Sequence, residues 1–161
     1  MPEITYKFVI NASPTRVFEA LTDQNQVAKW WTPDCTLAAK AGGQARFEFK
    51  NADGRLDGYS LMSIEKLIPG QFVQWKCIEQ DYQGNRDWIG TAIRFHLSDN
   101  GRGGTEVDFA HLDWKSTEGT FQRCTDGWKH VLQTSLKNYL ETGKGEPYLV
   151  HLKREATQKA S

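Results

Sequence analysis

The chain has 161 residues, a length that fits one ordinary domain with a substantial core. Its 20 Lys and Arg balance 20 Asp and Glu, which argues against a broad electrostatic footprint for nucleic acid. Six Trp, five Tyr and eight Phe supply an unusual amount of rigid apolar surface.

The opening Met1-Pro2-Glu3-Ile4-Thr5 lacks a basic segment followed by an apolar run, so no secretory signal is expected. No stretch approaches the ~20 apolar residues of a membrane span. A cytoplasmic protein without membrane insertion is therefore the expectation. Residues 3–11 alternate, with Ile4, Tyr6, Phe8 and Ile10 on one face, and predict a half-buried strand. Ser13 supplies an N-cap oxygen and Pro14 suits a first helical turn, with Val17, Phe18 and Leu21 following at helical spacing. A second short helix is expected from Gln24 to Trp31, stopped by Pro33.

The middle of the chain reads as strands joined by turn signals. Ala45, Phe47 and Phe49 alternate with charged residues before the turn Asn51-Ala52-Asp53-Gly54. Tyr59 to Leu67 is the next strand, but its inner face is ambiguous, with Tyr59 and Leu61 competing against Met62 and Ile64. Phe72 to Glu79 follows, with Val73, Trp75 and Cys77 in phase, and then a loop from Asp81 to Asn85. Trp88 to Leu97 reads as one long strand with Ile89, Ile93, Phe95 and Leu97 in phase. A glycine-rich hairpin at 99–104 leads to a strand carrying Thr105, Val107, Phe109 and His111 on one face. About six strands separated only by turns predict an antiparallel meander.

The period then changes. Phe121, Cys124, Trp128, Val131, Leu132, Leu136, Tyr139 and Leu140 recur at three and four, which predicts one helix over Thr120 to Thr142 ended by Gly143. Such a helix is roughly 33 Å long, enough to cross a sheet. Gly127 inside it is either a close-packing position or space left beside Trp128. The fold class expected is α+β: a curved antiparallel sheet, two short helices after its first strand, and a long C-terminal helix. One domain is expected over 3–148. A polar tail over 149–161 follows, its end expected to be disordered.

Several segments together resemble a known family. Phe8 to Pro14 followed by Val17 to Asp23 is similar to the opening of the START-like (SRPBCC) superfamily. Trp30-Trp31 before Pro33, Gly104 through His111, and Gly127-Trp128 with Leu132, Leu136, Leu140, Glu141, Gly143 and Pro147 resemble its branch related to the activator of Hsp90 ATPase (AHSA1-like). The resemblance spans about residues 3–148 and implies the helix-grip (Bet v1-like) fold with a deep cavity between sheet and long helix. Members include binders of lipids and hormones, polyketide cyclases and a co-chaperone domain, so the resemblance restrains fold more than activity.

Candidate ligand-binding residues follow from strand phase. Phe47, Phe49, Trp75, Ile93, Phe95 and Phe109 point toward the helix, which presents Phe121 and Trp128. They form either a filled core or the walls of a pocket, whose typical size is ~300–1,000 Å³. Of Trp30 and Trp31, one is expected in the core and the other near the pocket entrance. Ser60, Thr91 and Cys77 are further candidates to place a polar atom inside, and Glu79 is a candidate for the mouth.

His111 is the one inward imidazole expected, either a satisfied core histidine or a hydrogen-bonding or acid/base group. His96, His130 and His151 are expected at the surface. Metal ligation is not expected, since no His/Cys/carboxylate spacing fits it, and no cofactor is implied. Cys35, Cys77 and Cys124 have no close spacing and read as free thiols.

Binding of a small hydrophobic or aromatic molecule is the leading expectation. The alternatives are a cyclase/dehydratase-like or hydrolase-like enzyme using His111, and an interaction module engaging Hsp90. The last is disfavoured because no second Hsp90-binding module is evident. An exposed edge strand makes a homodimer a further expectation.

Overall fold

The computed structural model describes residues 3–148, and the expectations for the 149–161 tail and for His151 lie outside the described residues. Strand β1 (Ile4–Ile10) leads into α1 (Pro14–Thr22) and α2 (Gln24–Trp30). Six more strands follow: β2 (Asp34–Leu37), β3 (Gln44–Lys50), β4 (Leu56–Ile68), β5 (Phe72–Tyr82), β6 (Ala92–Asp99) and β7 (Thr105–Leu112). They form one antiparallel sheet in the order β1-β7-β6-β5-β4-β3-β2. The helix that closes the fold has three segments: α3 (Thr120–Trp128), a π-helical stretch (Lys129–Leu136) and α4 (Lys137–Thr142). The architecture is the expected α+β helix-grip arrangement.

Local chemistry sets the helix ends. Ser13 accepts a hydrogen bond from the Arg16 amide and Pro14 occupies the first turn of α1. Asp23 ends α1 and caps α2 through the Asn25 amide. Gly143 stops the last helix in the left-handed conformation, its N–H donating to the Tyr139 carbonyl.

Three features differ from the sequence expectation, and one left open is decided. The sheet has seven strands, because Asp34–Leu37 pairs with β3. Four residues are too few to show an alternation. The expected strand from Trp88 begins only at Ala92: residues 87–90 turn, with Gly90 at φ 88°, and Ile89 is exposed. In β4 it is Ser60, Met62 and Ile64 that face inward, which resolves the ambiguous phase. The long helix carries a π-helical stretch, marked by the Lys137 amide reaching back to the Leu132 carbonyl.

The pairing of β4 with β5 skips Ile78, since Leu61 faces Glu79 and Met62 faces Cys77. This β-bulge reverses the phase of the strand after it. Ile78 and Glu79 are exposed, whereas Gln80 turns inward. Further along, Gly58 lies opposite Tyr82. A Cβ at Gly58 would fall 2.6 Å from the Tyr82 Cα, so only glycine lets the strands approach there.

Candidate functional site

Behind the helix the interior is packed solid with aromatic rings. Trp31 contacts Phe47 at 4.4 Å between ring centroids and stacks on Trp75 at 6.2 Å. Trp75 meets Phe95 at 5.6 Å, Phe95 meets Phe109 at 5.2 Å, and Phe109 meets Trp128 at 4.8 Å. Contacts of this kind add about 0.5–1.5 kcal/mol each beyond area burial. Trp30 is fully buried and donates its indole N–H to the Ala20 carbonyl at 2.8 Å.

At one end of this layer the packing stops and a cavity of about 490 Å³ opens. Trp31 at the end of α2, Phe49 on β3, Trp88 in the 83–91 loop, and Trp128 and Val131 on the helix form its apolar walls. Trp88 and Trp128 stack at 5.7 Å with their planes 13° apart. Tyr82 and Tyr148 close another side, hydrogen-bonded to one another through their hydroxyls, and Tyr148 also donates to Asp57 at 2.7 Å. Burial and these acidic neighbours push the Tyr148 phenol well above its ordinary range. Gly127 borders the space, and a Cβ built on it would meet nothing within 4 Å. The volume lies within the typical ~300–1,000 Å³ of small-molecule sites.

Of the candidates read from strand and helix phase, Trp31, Phe49 and Trp128 line this cavity. Trp30, Phe47, Trp75, Ile93, Phe95 and Phe109 are buried but belong to the packed layer, not the lining. Phe121 is half-buried against Trp114 at 5.4 Å and also lies off the lining. These side chains point inward as phase requires, and the helix and α2 fill the space in front of them. Ser60 reaches the cavity, whereas Thr91 and Cys77 do not.

Of the two alternatives open for His111, its surroundings are those of a satisfied core histidine, and as a candidate lining residue it is corrected. It is fully buried and does not line the cavity. The Trp128 indole N–H donates to its Nδ1 at 3.0 Å, so Nδ1 is unprotonated and Nε2 carries the proton. Nε2 in turn donates to Thr91 Oγ1 at 2.8 Å, while the Thr91 hydroxyl donates to the Trp88 carbonyl at 2.6 Å. Burial depresses the imidazole pKa to about 3. Trp88, Trp114 and Trp128 surround the ring at 5.0, 4.6 and 5.9 Å. The imidazole thus has both nitrogens engaged within the protein and sits behind Trp88 and Trp128, which line the cavity.

Other positions were missed by periodicity. His130, expected at the surface, borders the cavity 3.6 Å from Glu146, because a π-helical turn holds more residues than an α-turn and widens the inward face. Gln80 enters through the bulge, and the one legible sign of it was Ile78, an apolar residue out of phase. Trp88 enters through the Gly90 turn. Glu79 is exposed and off the lining.

Cys124 lines the cavity, its sulfur accepting from the Trp88 indole at 3.3 Å. Burial is the main cause holding its thiol above the ordinary value, and it raises Cys35 to about 11 and Cys77 to about 12. Thiols shifted this way stay protonated at neutral pH. Among the described residues no group of three or more His, Cys, Asp or Glu is gathered as a metal site, and no helix is long and apolar enough to cross a membrane.

A family model described as "Activator of Hsp90 ATPase homolog 1-like protein" matches residues 11–141. Among solved structures, the Aha1 dimer of Colwellia psychrerythraea is 33% identical at a TM-score of 0.73, covering 90% of this chain and 100% of that one. Protein CV1439 of Chromobacterium violaceum is 22% identical at 0.69, over 86% of this chain and 96% of that chain. CalU16 of Micromonospora echinospora is 19% identical at 0.61, over 81% and 71%. The last two show likeness of fold. No curated protein matches the chain.

Proposed function

The chain belongs to the activator of Hsp90 ATPase homolog 1-like family, and from that premise we propose that residues 3–148 act as a single binding domain for a small apolar or aromatic molecule. The observation that carries this reading is the 490 Å³ cavity, left open among aromatic side chains beside an interior that is otherwise filled. Apolar walls provide affinity through burial, at about 25 cal/mol per Å² removed from water. Trp31, Phe49, Trp88 and Trp128 would form the contact surface. This reading assigns no proton transfer to His111 and requires no reaction of the bound molecule. A cytoplasmic setting accords with cysteines that are free.

The test uses the fluorescent naphthalene probe 1-anilinonaphthalene-8-sulfonate and a variant that fills the space. Wild type should bind the probe with quenching of tryptophan emission, and Gly127→Leu should weaken binding at least tenfold. Helix propensity favours Leu over Gly by about 0.5–1 kcal/mol, so the variant should not lose stability. Equal binding by both proteins, or none by either, would sink the reading.

The 33% identity to the Aha1 dimer supports a second reading, in which the domain self-associates and its partner is a chaperone of the Hsp90 class. Sedimentation at micromolar concentration showing only monomer, with no retention on immobilised Hsp90, would remove it.

A further inference from the structure

Most polar groups around the cavity are already committed. Asn85 donates to Thr120, and its carbonyl accepts from the Asp87 amide. The tyrosine hydroxyls serve each other and Asp57, and His130 faces Glu146. Arg123, which reaches Thr120 Oγ1 at 3.4 Å, and Gln83 are exposed residues at the mouth, where water can solvate them.

Ser60 and Gln80 differ from all of these. They are direct cross-strand partners on β4 and β5, so their side chains lie next to one another on the inner face. Both line the cavity, and both are deep, with 1% and 7% of their surface exposed. The Gln80 carbonyl oxygen accepts the Trp88 backbone N–H at 2.8 Å. That bond sets the orientation of the carboxamide, since the reversed amide would oppose two donors. The Nε2 group is left with no hydrogen bond among the described residues, and the Ser60 hydroxyl has none either. His111 and Trp30 pair their buried donors, whereas the indole N–H groups of Trp75 and Trp114 are buried without a partner among the described residues. Neither of those two rings lines the cavity, so Ser60 and Gln80 are set apart by having spare donors that also border open space.

We infer that Ser60 Oγ and Gln80 Nε2 form a receptor for one neutral acceptor oxygen on the bound molecule, which makes that molecule an aromatic ketone or quinone rather than a plain hydrocarbon. The inference rests on the binding reading above and adds the chemical class of the occupant. The donors are neutral and buried, so a carbonyl oxygen satisfies them without the desolvation cost that a carboxylate would carry. The aromatic walls take the flat body while the paired donors fix the end that enters first.

Two shape-matched probes separate the terms: 2-acetylnaphthalene, which carries the carbonyl, and 2-isopropylnaphthalene, which lacks it. Dissociation constants for both are read from tryptophan quenching in wild type, Ser60→Ala and Gln80→Glu. The glutamate keeps an acceptor for the Trp88 amide while removing the NH2 group. Each variant should lose a factor of roughly three to ten in the preference for the ketone, with hydrocarbon affinity little changed. An unchanged ratio in both variants overturns the oxygen receptor while leaving the binding reading intact. Failure of wild type to bind either probe overturns the binding reading, and the receptor with it.

Discussion

His111 and Gln80 are both polar, both carried on the inner face of the same sheet, and both lie against Trp88, yet they are finished differently. Each nitrogen of His111 has a partner, and its ring is wrapped by three tryptophans. Gln80 uses only its carbonyl oxygen, on the Trp88 amide, and its NH2 group borders open space. The first arrangement ties the 83–91 loop and the C-terminal helix to β7. The second leaves hydrogen-bonding capacity for something not part of the chain. Both groups are buried, so what marks Gln80 as a candidate binding group is spare hydrogen-bonding capacity together with a place on the cavity wall; the unpaired indoles of Trp75 and Trp114 have the first without the second.

Breaking the finished region should give the largest effects. His111→Leu leaves the Trp128 indole N–H buried without an acceptor and the Thr91 oxygen without its donor. A loss of about 3 kcal/mol is expected, measured by urea denaturation. His111→Gln, which can both accept and donate, should lose less than half of that. If His111→Leu is within 0.5 kcal/mol of wild type (roughly the surface-substitution range), the hydrogen-bonded relay is not structural.

Acid should act on the same group. A histidine held at about 3 in the fold, against 6.5 when free, keeps its full contribution above pH 6.5 and loses it as the pH falls toward 3. Taking the protein from pH 7 to pH 5 should cost about 2 kcal/mol through this residue. The comparison sharpens if His111→Gln shows a flatter stability profile across that interval. An equally steep profile in the variant assigns the acid sensitivity to other groups.

Much of the frame was legible because its causes are local. Ser13-Pro14 opens a helix, Gly143 ends one, and Ile4 to Ile10 alternate whatever lies around them. The cavity lining was less legible because it depends on departures from period. Gln80 faces inward only because Ile78 is skipped, Trp88 only because Gly90 turns the chain, and His130 only because the helix widens to π spacing. Phase placed Phe47, Trp75, Phe95 and Phe109 inside, but phase carries no information on whether a neighbouring helix fills the space before them. The filling here is done by Trp31 and Trp128.

The smallest expected effect tests the unfinished region. Ser60 has little exposed surface and no hydrogen-bond partner among the described residues, so within the protein its hydroxyl contributes no bond that offsets its burial. Ser60→Ala removes that group and adds no volume, and the unliganded protein should become more stable by about 0.5–1 kcal/mol. At a core position whose hydroxyl is paired, the same substitution destabilises, as expected for Ser135, which donates to the Trp30 carbonyl at 2.5 Å and accepts the Glu146 amide at 2.8 Å. Opposite signs for Ser60→Ala and Ser135→Ala in one denaturation series would mark Ser60 as a position where stability is given up for binding. A loss of stability on Ser60→Ala would instead mean that the hydroxyl is already satisfied in the free protein, and the contrast between the two regions would disappear.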